Sequence, residues 1–216
     1  PLASAATLSA DAVVKQIESR RARFDVLRAT DDGMADLFSF LDDDFAAIRS
    51  STVTAAHSAF ARANLDFNSE LRQSQWVLSP SDFGFHNTLR RKSGRLAFID
   101  FEYFGWDDPA KLVSDFLLHP GMTLSRPFRQ RFYKGAMAVY GDADAAFKAR
   151  LNALYPLYGL CWCLIILNEF LPDFWARRVA AAGTLDASVV RSRQLQKARR
   201  MLAHVEESIE NGPRFD

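Results

Sequence analysis

The sequence predicts a mainly helical protein with one small β-hairpin, an α+β arrangement in a single helix-rich domain over residues 1–216. Three observations predict it. Apolar residues recur at spacings of three and four along most of the chain, the mark of amphipathic helices. Only residues 76–101 change to short β-rich runs around a tight turn. No internal repeat or low-complexity linker divides the 216 residues, 49% of them hydrophobic, which is enough apolar surface for one core.

Each element follows in order. Val13, Ile17, Phe24 and Leu27 keep helical spacing after Ser9 and Asp11, good N-cap types, so a helix is expected from Ala10 to Ala29. Thr30, Asp31, Asp32 and Gly33 break it. A second helical pattern covers Met34 to Leu41 and a third Asp44 to Asn64, with Asp42, Asp43 and Asp44 read as a solvated acidic cap at the third helix's N-terminus. Trp76, Val77 and Leu78 form a short strand ended by Pro80. Thr88 to Arg91 is expected to pair with Leu96 to Phe101 through Lys92, Ser93 and Gly94, where Ser and Gly supply the freedom of a tight turn. Helices resume at Pro109, suited to a first helical turn. Phe128, Phe132 and Val139 mark one, Leu151 to Phe170 another, and Leu195, Ala198, Leu202, Val205 and Ile209 the last.

Composition excludes several classes of function. The net charge is +1, with 27 basic against 26 acidic residues, so no long-range field favours nucleic acid or an anionic membrane. The basic series Arg191, Arg193, Lys197, Arg199 and Arg200 reads as the solvated face of the last helix. The longest apolar run, Leu157 to Leu167, is shorter than the roughly 20 residues a bilayer requires and reads as a buried helix. Cys161 and Cys163 stand two apart on that helix, where their side chains diverge, so they are expected to be inert buried thiols in a reducing cytoplasm. No signal peptide is seen, and the chain begins at Pro1 rather than Met, as a piece trimmed from a longer protein would.

The hairpin carries the chemistry. Phosphoryl transfer requires a carboxylate to orient and deprotonate the attacking hydroxyl, and oxygen ligands to hold Mg²⁺ against nucleotide phosphates. Asp82 and Asn87, spaced D-x-x-x-x-N in the loop DFGFHN, supply a base and a metal oxygen. Asp100 emerges at the end of the apolar strand LAFI, beside Asn87, as a second metal oxygen.

With those residues in view, the stretch resembles the kinase-like superfamily of small-molecule phosphotransferases, the aminoglycoside phosphotransferase and choline kinase group. SDFGFHNTL looks like its catalytic loop, and LAFIDFEYFGWDDP like its metal-binding strand and following G-x-x-D-P segment. The resemblance implies a protein-kinase-like C-terminal lobe, with Asp82 as catalytic base, Asn87 and Asp100 as Mg²⁺ ligands, and Asp108 with Pro109 opening the next helix. It also implies ATP as co-substrate and a small-molecule acceptor. Asp115 stands near the family's acidic position in that helix, as a brace behind the loop. The family's histidines two residues before and after the base are Pro80 and Gly84 here, and His86 is the residue placed to compensate. No G-x-G-x-x-G occurs and none of the six lysines lies in an apolar strand, so the nucleotide-covering lobe is expected to lie outside this chain, which alone would be inactive.

Glu102, Asp107 and Asp108 form an acidic run that reads either as a rim attracting a cationic acceptor or as solvated loop acids. Tyr103, Phe104, Trp106 and Trp162 read either as a box for an ammonium group or as core. The overall expectation is a cytoplasmic, ATP- and Mg²⁺-dependent hydroxyl phosphotransferase. Its rival, motivated by Pro80 and Gly84, is an impaired kinase that binds nucleotide or ligand as a regulatory module.

Overall fold

The computed structural model describes residues 1–29, 33–183, 186–213 and 215. Its helices are α1 (Ala10–Ala22), α2 (Ala35–Ser39), α3 (Phe45–Arg62), α4 (Pro109–Leu118), α5 (Arg126–Ala136), α6 (Phe147–Ile166), α7 (Pro172–Ala182) and α8 (Ala187–Asn211). Between α3 and α4 lie four three-residue strands: β1 (Val77–Ser79), β2 (Thr88–Arg90), β3 (Leu96–Phe98) and β4 (Gly105–Asp107). The mainly helical class with a small β element is as expected.

Helix α6 is the axis of the core. It buries Leu151, Leu154, Tyr155, Leu157, Tyr158, Leu160, Cys163 and Leu164 on all sides, and α1, α3, α4 and α8 pack around it. Such burial is why its sequence lacks an amphipathic stripe. The segment Phe147–Phe170 is long and apolar enough to cross a membrane, but 83% of its most apolar window is buried inside the fold. Gly159 lets α8 approach closely, since a Cβ there would lie 2.5 Å from Val205 Cγ2.

Several boundaries differ from the sequence expectation. The first helix ends at Ala22 rather than Ala29, because Phe24 and Leu27 are buried through a 3-10 turn at Asp25–Ala29. The break expected at Thr30 to Asp32 lies outside the described residues. Asp42 to Asp44 are exposed, as expected, but Asp44 does not cap the third helix through its side chain. They occupy a π-type turn, Phe40–Asp44, that runs into α3. Asp42 is instead gripped by Arg21 at 2.6 Å and Arg28 at 2.8 Å. Helix α7 was not read from the sequence.

The hairpin register is Thr88↔Phe98, Leu89↔Ala97 and Arg90↔Leu96, closed through Gly94 at φ +81°. A second antiparallel pair was not foreseen: β1 pairs with β4, Val77↔Asp107 to Ser79↔Gly105. Pro1–Ala3 lies along β4, with the Trp106 N–H donating to the Pro1 carbonyl at 3.1 Å and the Ala3 N–H to the Trp106 carbonyl at 3.0 Å. A Cβ on Gly105 would meet the Ala3 nitrogen at 2.4 Å, so glycine is what lets the N-terminal segment lie against β4. The β1–β4 pair fixes where the loop after β1 leaves the sheet and where α4 begins.

Candidate active site

Loop 80–87 turns sharply as it leaves β1. The Asp82 N–H returns to the Pro80 carbonyl at 2.9 Å, across Ser81 in the left-handed region at φ +64°. The Ser81 hydroxyl donates to the Tyr103 carbonyl at 3.1 Å, tying this loop to the one after β3. Left-handed backbone at a non-glycine residue costs about 1–3 kcal/mol and persists only where surroundings hold it. Asp100, also at φ +64°, is the second case in this region.

Both carboxylate oxygens of Asp82 are engaged. Oδ2 accepts from Asn87 Nδ2 at 3.1 Å, and the same amide nitrogen donates to the Asp82 carbonyl at 3.0 Å. Oδ1 accepts from His86 Nε2 at 2.9 Å and faces His119 Nε2 at 3.6 Å. The D-x-x-x-x-N spacing thus makes Asn87 the residue that orients Asp82, while its amide oxygen stays unbonded to protein among the described residues.

The hairpin continues one rung past β2 and β3, with the Ile99 N–H donating to the Asn87 carbonyl at 3.0 Å, so Asp100 follows directly beside Asn87. Asp100 is exposed, and no protein hydrogen bond engages its carboxylate among the described residues. Tyr103 senses this cluster of acids: a hydrogen bond from its phenol to Glu102 pushes its pKa up, and Asp100 and Asp82 add to the rise.

Histidine 119 was not anticipated. It caps the C-terminus of α4, one turn after Asp115, and stacks on His86 with ring centroids 3.9 Å apart and planes 4° from parallel. Burial, with the charge of His86 behind it, lowers its pKa against the opposing pull of Asp82 and Asp115. Gly84 makes the stack possible, because a Cβ there would lie 2.6 Å from the His86 ring and 2.7 Å from Met122 Sδ. A side chain at position 84 and the inward His86 ring therefore exclude each other. The signal in the sequence was the i, i+4 spacing of Asp115 and His119 on one helix face.

The remaining predicted residues separate. Asp115 does not touch the loop: its Oδ1 accepts from Trp162 Nε1 at 3.0 Å and its Oδ2 from Lys111 Nζ at 2.9 Å. Asp107 and Asp108 are neither a rim nor solvated, being 0% and 2% exposed. Asp107 Oδ1 accepts the Thr7 and Asp108 N–H groups, and burial raises its pKa against the pull of Lys111, 3.4 Å from Oδ2. Asp108 caps α4 through the Ala110 N–H at 2.7 Å and binds Arg150, which also holds Asp144 at 2.6 Å. Burial works against the charge of Lys111, but the attraction of Asp115 and Asp107 outweighs it and holds the pKa above its ordinary value. Of the four aromatics read as a box, Tyr103 and Trp162 line the cleft described next, while Trp106 is committed to β4.

Asp82 opens onto a cleft of about 450 Å³ walled by Lys111, Asp115, His119, Tyr103, Trp162 and Arg20, among others. A larger groove of about 640 Å³ lies against Phe83, Phe85, Phe116 and Phe132 and is almost wholly apolar. Chemistry with ionisable groups belongs to the smaller cleft, since Asp82 and His119 are on its wall.

Two donor sets could hold a cation. The Asn87 amide oxygen and the Asp100 carboxylate are hard oxygen donors on adjacent segments of the hairpin, unused by protein among the described residues, and of the type Mg²⁺ takes, since it keeps waters and uses one or two carboxylates. Asp82, His86 and His119 also bring one donor atom each within 4.8 Å of one another. The Gly121 N–H donates to His119 Nδ1 at 3.0 Å, however, so in the neutral ring the proton sits on Nε2. A protonated nitrogen has no lone pair for a metal, and the triad is built for hydrogen bonding to Asp82 instead.

Comparison with protein-family models, with curated proteins and with solved structures returned no match to this chain.

Proposed function

We propose that this chain is the helix-rich catalytic lobe of an ATP- and Mg²⁺-dependent phosphotransferase acting on a small-molecule hydroxyl, similar to the aminoglycoside phosphotransferases. One observation carries the reading. Asp82 is held on the wall of a 450 Å³ cleft by Asn87, and the hairpin rung at Asn87 and Ile99 brings the chain at Asp100, whose carboxylate is free of protein hydrogen bonds among the described residues, next to that loop. Base and metal donors thus share one hairpin end.

In this reading the acceptor enters the cleft and its hydroxyl reaches Asp82 Oδ1 from the His119 side, where the existing contact is the longer one at 3.6 Å. Asp82 takes the hydroxyl proton as the acceptor oxygen bonds the γ-phosphorus and the bond from that phosphorus to ADP breaks. His86 and Asn87 keep the carboxylate oriented. Bound Mg²⁺, held by Asn87 and Asp100, would neutralise phosphate charge. Acceptor and nucleotide would enter from opposite sides of the loop.

The test is phosphate transfer from ATP to a panel of small alcohols by the full-length protein. Asp82→Asn should lower transfer by about 100-fold or more, and Asp100→Ala should remove the Mg²⁺ dependence of nucleotide binding. Unchanged transfer in Asp82→Asn, or unchanged Mg²⁺ dependence in Asp100→Ala, sinks the assignment. Nucleotide binding without transfer to any alcohol would favour the regulatory module instead.

A further inference from the structure

We propose that the cleft facing Asp82 contains a subsite for an anionic group, a carboxylate or phosphate on the acceptor, with Arg20 of α1 as its ligand. The hydroxyl end of that acceptor rests on the reading of Asp82 given above. The anion end rests on observations of its own.

Arg20 lies on the cleft wall, partly buried, and its Nε is shut from solvent without a hydrogen-bond partner. A buried, unpaired donor costs about 1–3 kcal/mol, more when charged, so such groups are ordinarily satisfied. Arg191 Nε is buried without a partner too, but its guanidinium lies over the Phe170 and Trp175 rings; the remaining shielded cations obey that rule. Arg150 holds Asp108 and Asp144, Lys111 holds Asp115 and Asp107, and Arg21, one residue from Arg20, binds Asp25 and Asp42. Among the described residues no carboxylate pairs with Arg20.

The groups around Arg20 cannot serve as its counter-ion. Asp115, on the same cleft wall, has both oxygens committed to Trp162 and Lys111. The Cys161 thiol feels the Arg20 charge, but burial pushes its pKa up to about 12, so it stays a neutral thiol. Gln16, one turn before Arg20, spends its amide on the Ala5 carbonyl and the Cys161 thiol. The missing negative charge is therefore expected from the ligand.

The neighbourhood reinforces the sign. Phe174 of α7 lines the same cleft, and the guanidinium groups of Arg23 and Arg177 lie 5.1 Å and 4.9 Å from its ring centre. Arg177 is partly balanced by Asp173 at 3.5 Å. Arg20 is thus the charged residue that α1 and α7 place on the cleft wall, which also carries Asp82, with Arg23 and Arg177 behind Phe174. A molecule with a hydroxyl at one end and an anion at the other matches this polarity. A cationic acceptor, the expectation drawn from the acidic run 102–108, does not, because Asp107 and Asp108 face the core.

The experiment titrates the chain with glycerol 3-phosphate and with glycerate, using glycerol and choline as uncharged and cationic comparisons and ATP as a third arm, followed calorimetrically. The anionic probes should bind at least about 10-fold more tightly than glycerol or choline. Arg20→Met, which keeps the apolar stem, should remove that advantage, while Arg20→Lys should retain most of it. Arg20→Gln serves as a second neutral variant, with circular dichroism verifying the fold of each. Equal binding of choline or glycerol, or an unchanged anion affinity in both neutral variants, overturns the proposal. So does a loss confined to ATP, which would assign the anion to the nucleotide. Failure of phosphate transfer in the Asp82 and Asp100 experiment would leave these binding results standing, so the two readings fail separately.

Discussion

The two ends of α4 treat negative charge in opposite ways. At the N-terminal end, Asp107 and Asp108 are sealed from water and held by Lys111, Arg150 and backbone N–H groups. At the C-terminal end His119 meets Asp82, a carboxylate whose side chain is 38% exposed and which opens onto a cleft. Four aspartates sit within or beside one β-rich stretch, and side-chain chemistry alone does not divide them. What divides them is whether their partners can be displaced. Arg150 is fixed between two carboxylates in the interior, whereas the His119 contact is long enough for a hydroxyl to enter. The closed end is sealed into the core, and the open end faces the cleft.

The sharpest test of that contrast is to break the closed end. Arg150→Met strips Asp108 and Asp144 of their partner while conserving volume, and removing one side of a buried pair costs about 3–5 kcal/mol. Urea unfolding should show a loss of that size, whereas Asp82→Asn should change stability by less than about 1 kcal/mol. Equal losses at both positions would mean that Asp82 is as structural as Asp108 and would erase the distinction.

A smaller effect is expected at Gly84. Its backbone is extended, so alanine meets no conformational penalty there, but the added Cβ collides with the His86 ring and Met122 Sδ. Overpacking of this kind costs about 1–3 kcal/mol. Because both neighbours are side chains, His86 should swing away and leave Asp82. Stability should fall modestly, and the His86 imidazole resonances should move by NMR; unchanged resonances would show that the stack is not fixed by the glycine.

Much of this architecture was legible in the sequence, for identifiable reasons. The hairpin was readable because a Lys-Ser-Gly turn sits between alternating runs, and α8 because its apolar residues keep spacings of three and four over 25 residues. The β1–β4 pair was not, since its strands are three residues each and are separated by 25 residues of loop and hairpin. In the site, Asp82 and Asn87 were legible through a local spacing that the fold converts into a direct hydrogen bond. Asp107 and Asp108 were misread because a charged pair looks solvated until its partner, Arg150, is brought from 42 residues away. His119 and Arg20 escaped for the same reason: each reaches the cleft across the fold, one from the C-terminal end of α4 and one from the last turn of α1.

The smallest expected effect is in pH dependence, and it again separates the two ends. Burial lowers the pKa of His119, so the folded protein resists protonating it while the unfolded chain takes the proton at the ordinary value of about 6.5. The unfolded state then binds more protons, and stability must fall as pH drops through about 6.5 toward the lower folded value. His204, buried beside Tyr155 with Arg129 nearby, is lowered too and contributes with the same sign. The groups facing His119 are His86 and Asp82 from the loop and Asp115 from its own helix, and the carboxylates oppose but do not reverse the shift. Asp107, raised by burial, acts oppositely and only near the carboxylate range, where stability falls as pH rises. Unfolding measured between pH 5 and 7 should therefore show a downward slope on acidification that His119→Gln and His204→Gln each reduce, while Asp107→Asn leaves it in place. A slope untouched by both histidine substitutions would show that the open end of α4 is not held by a neutral imidazole, and the hydrogen-bond assignment at Asp82 would have to be redrawn.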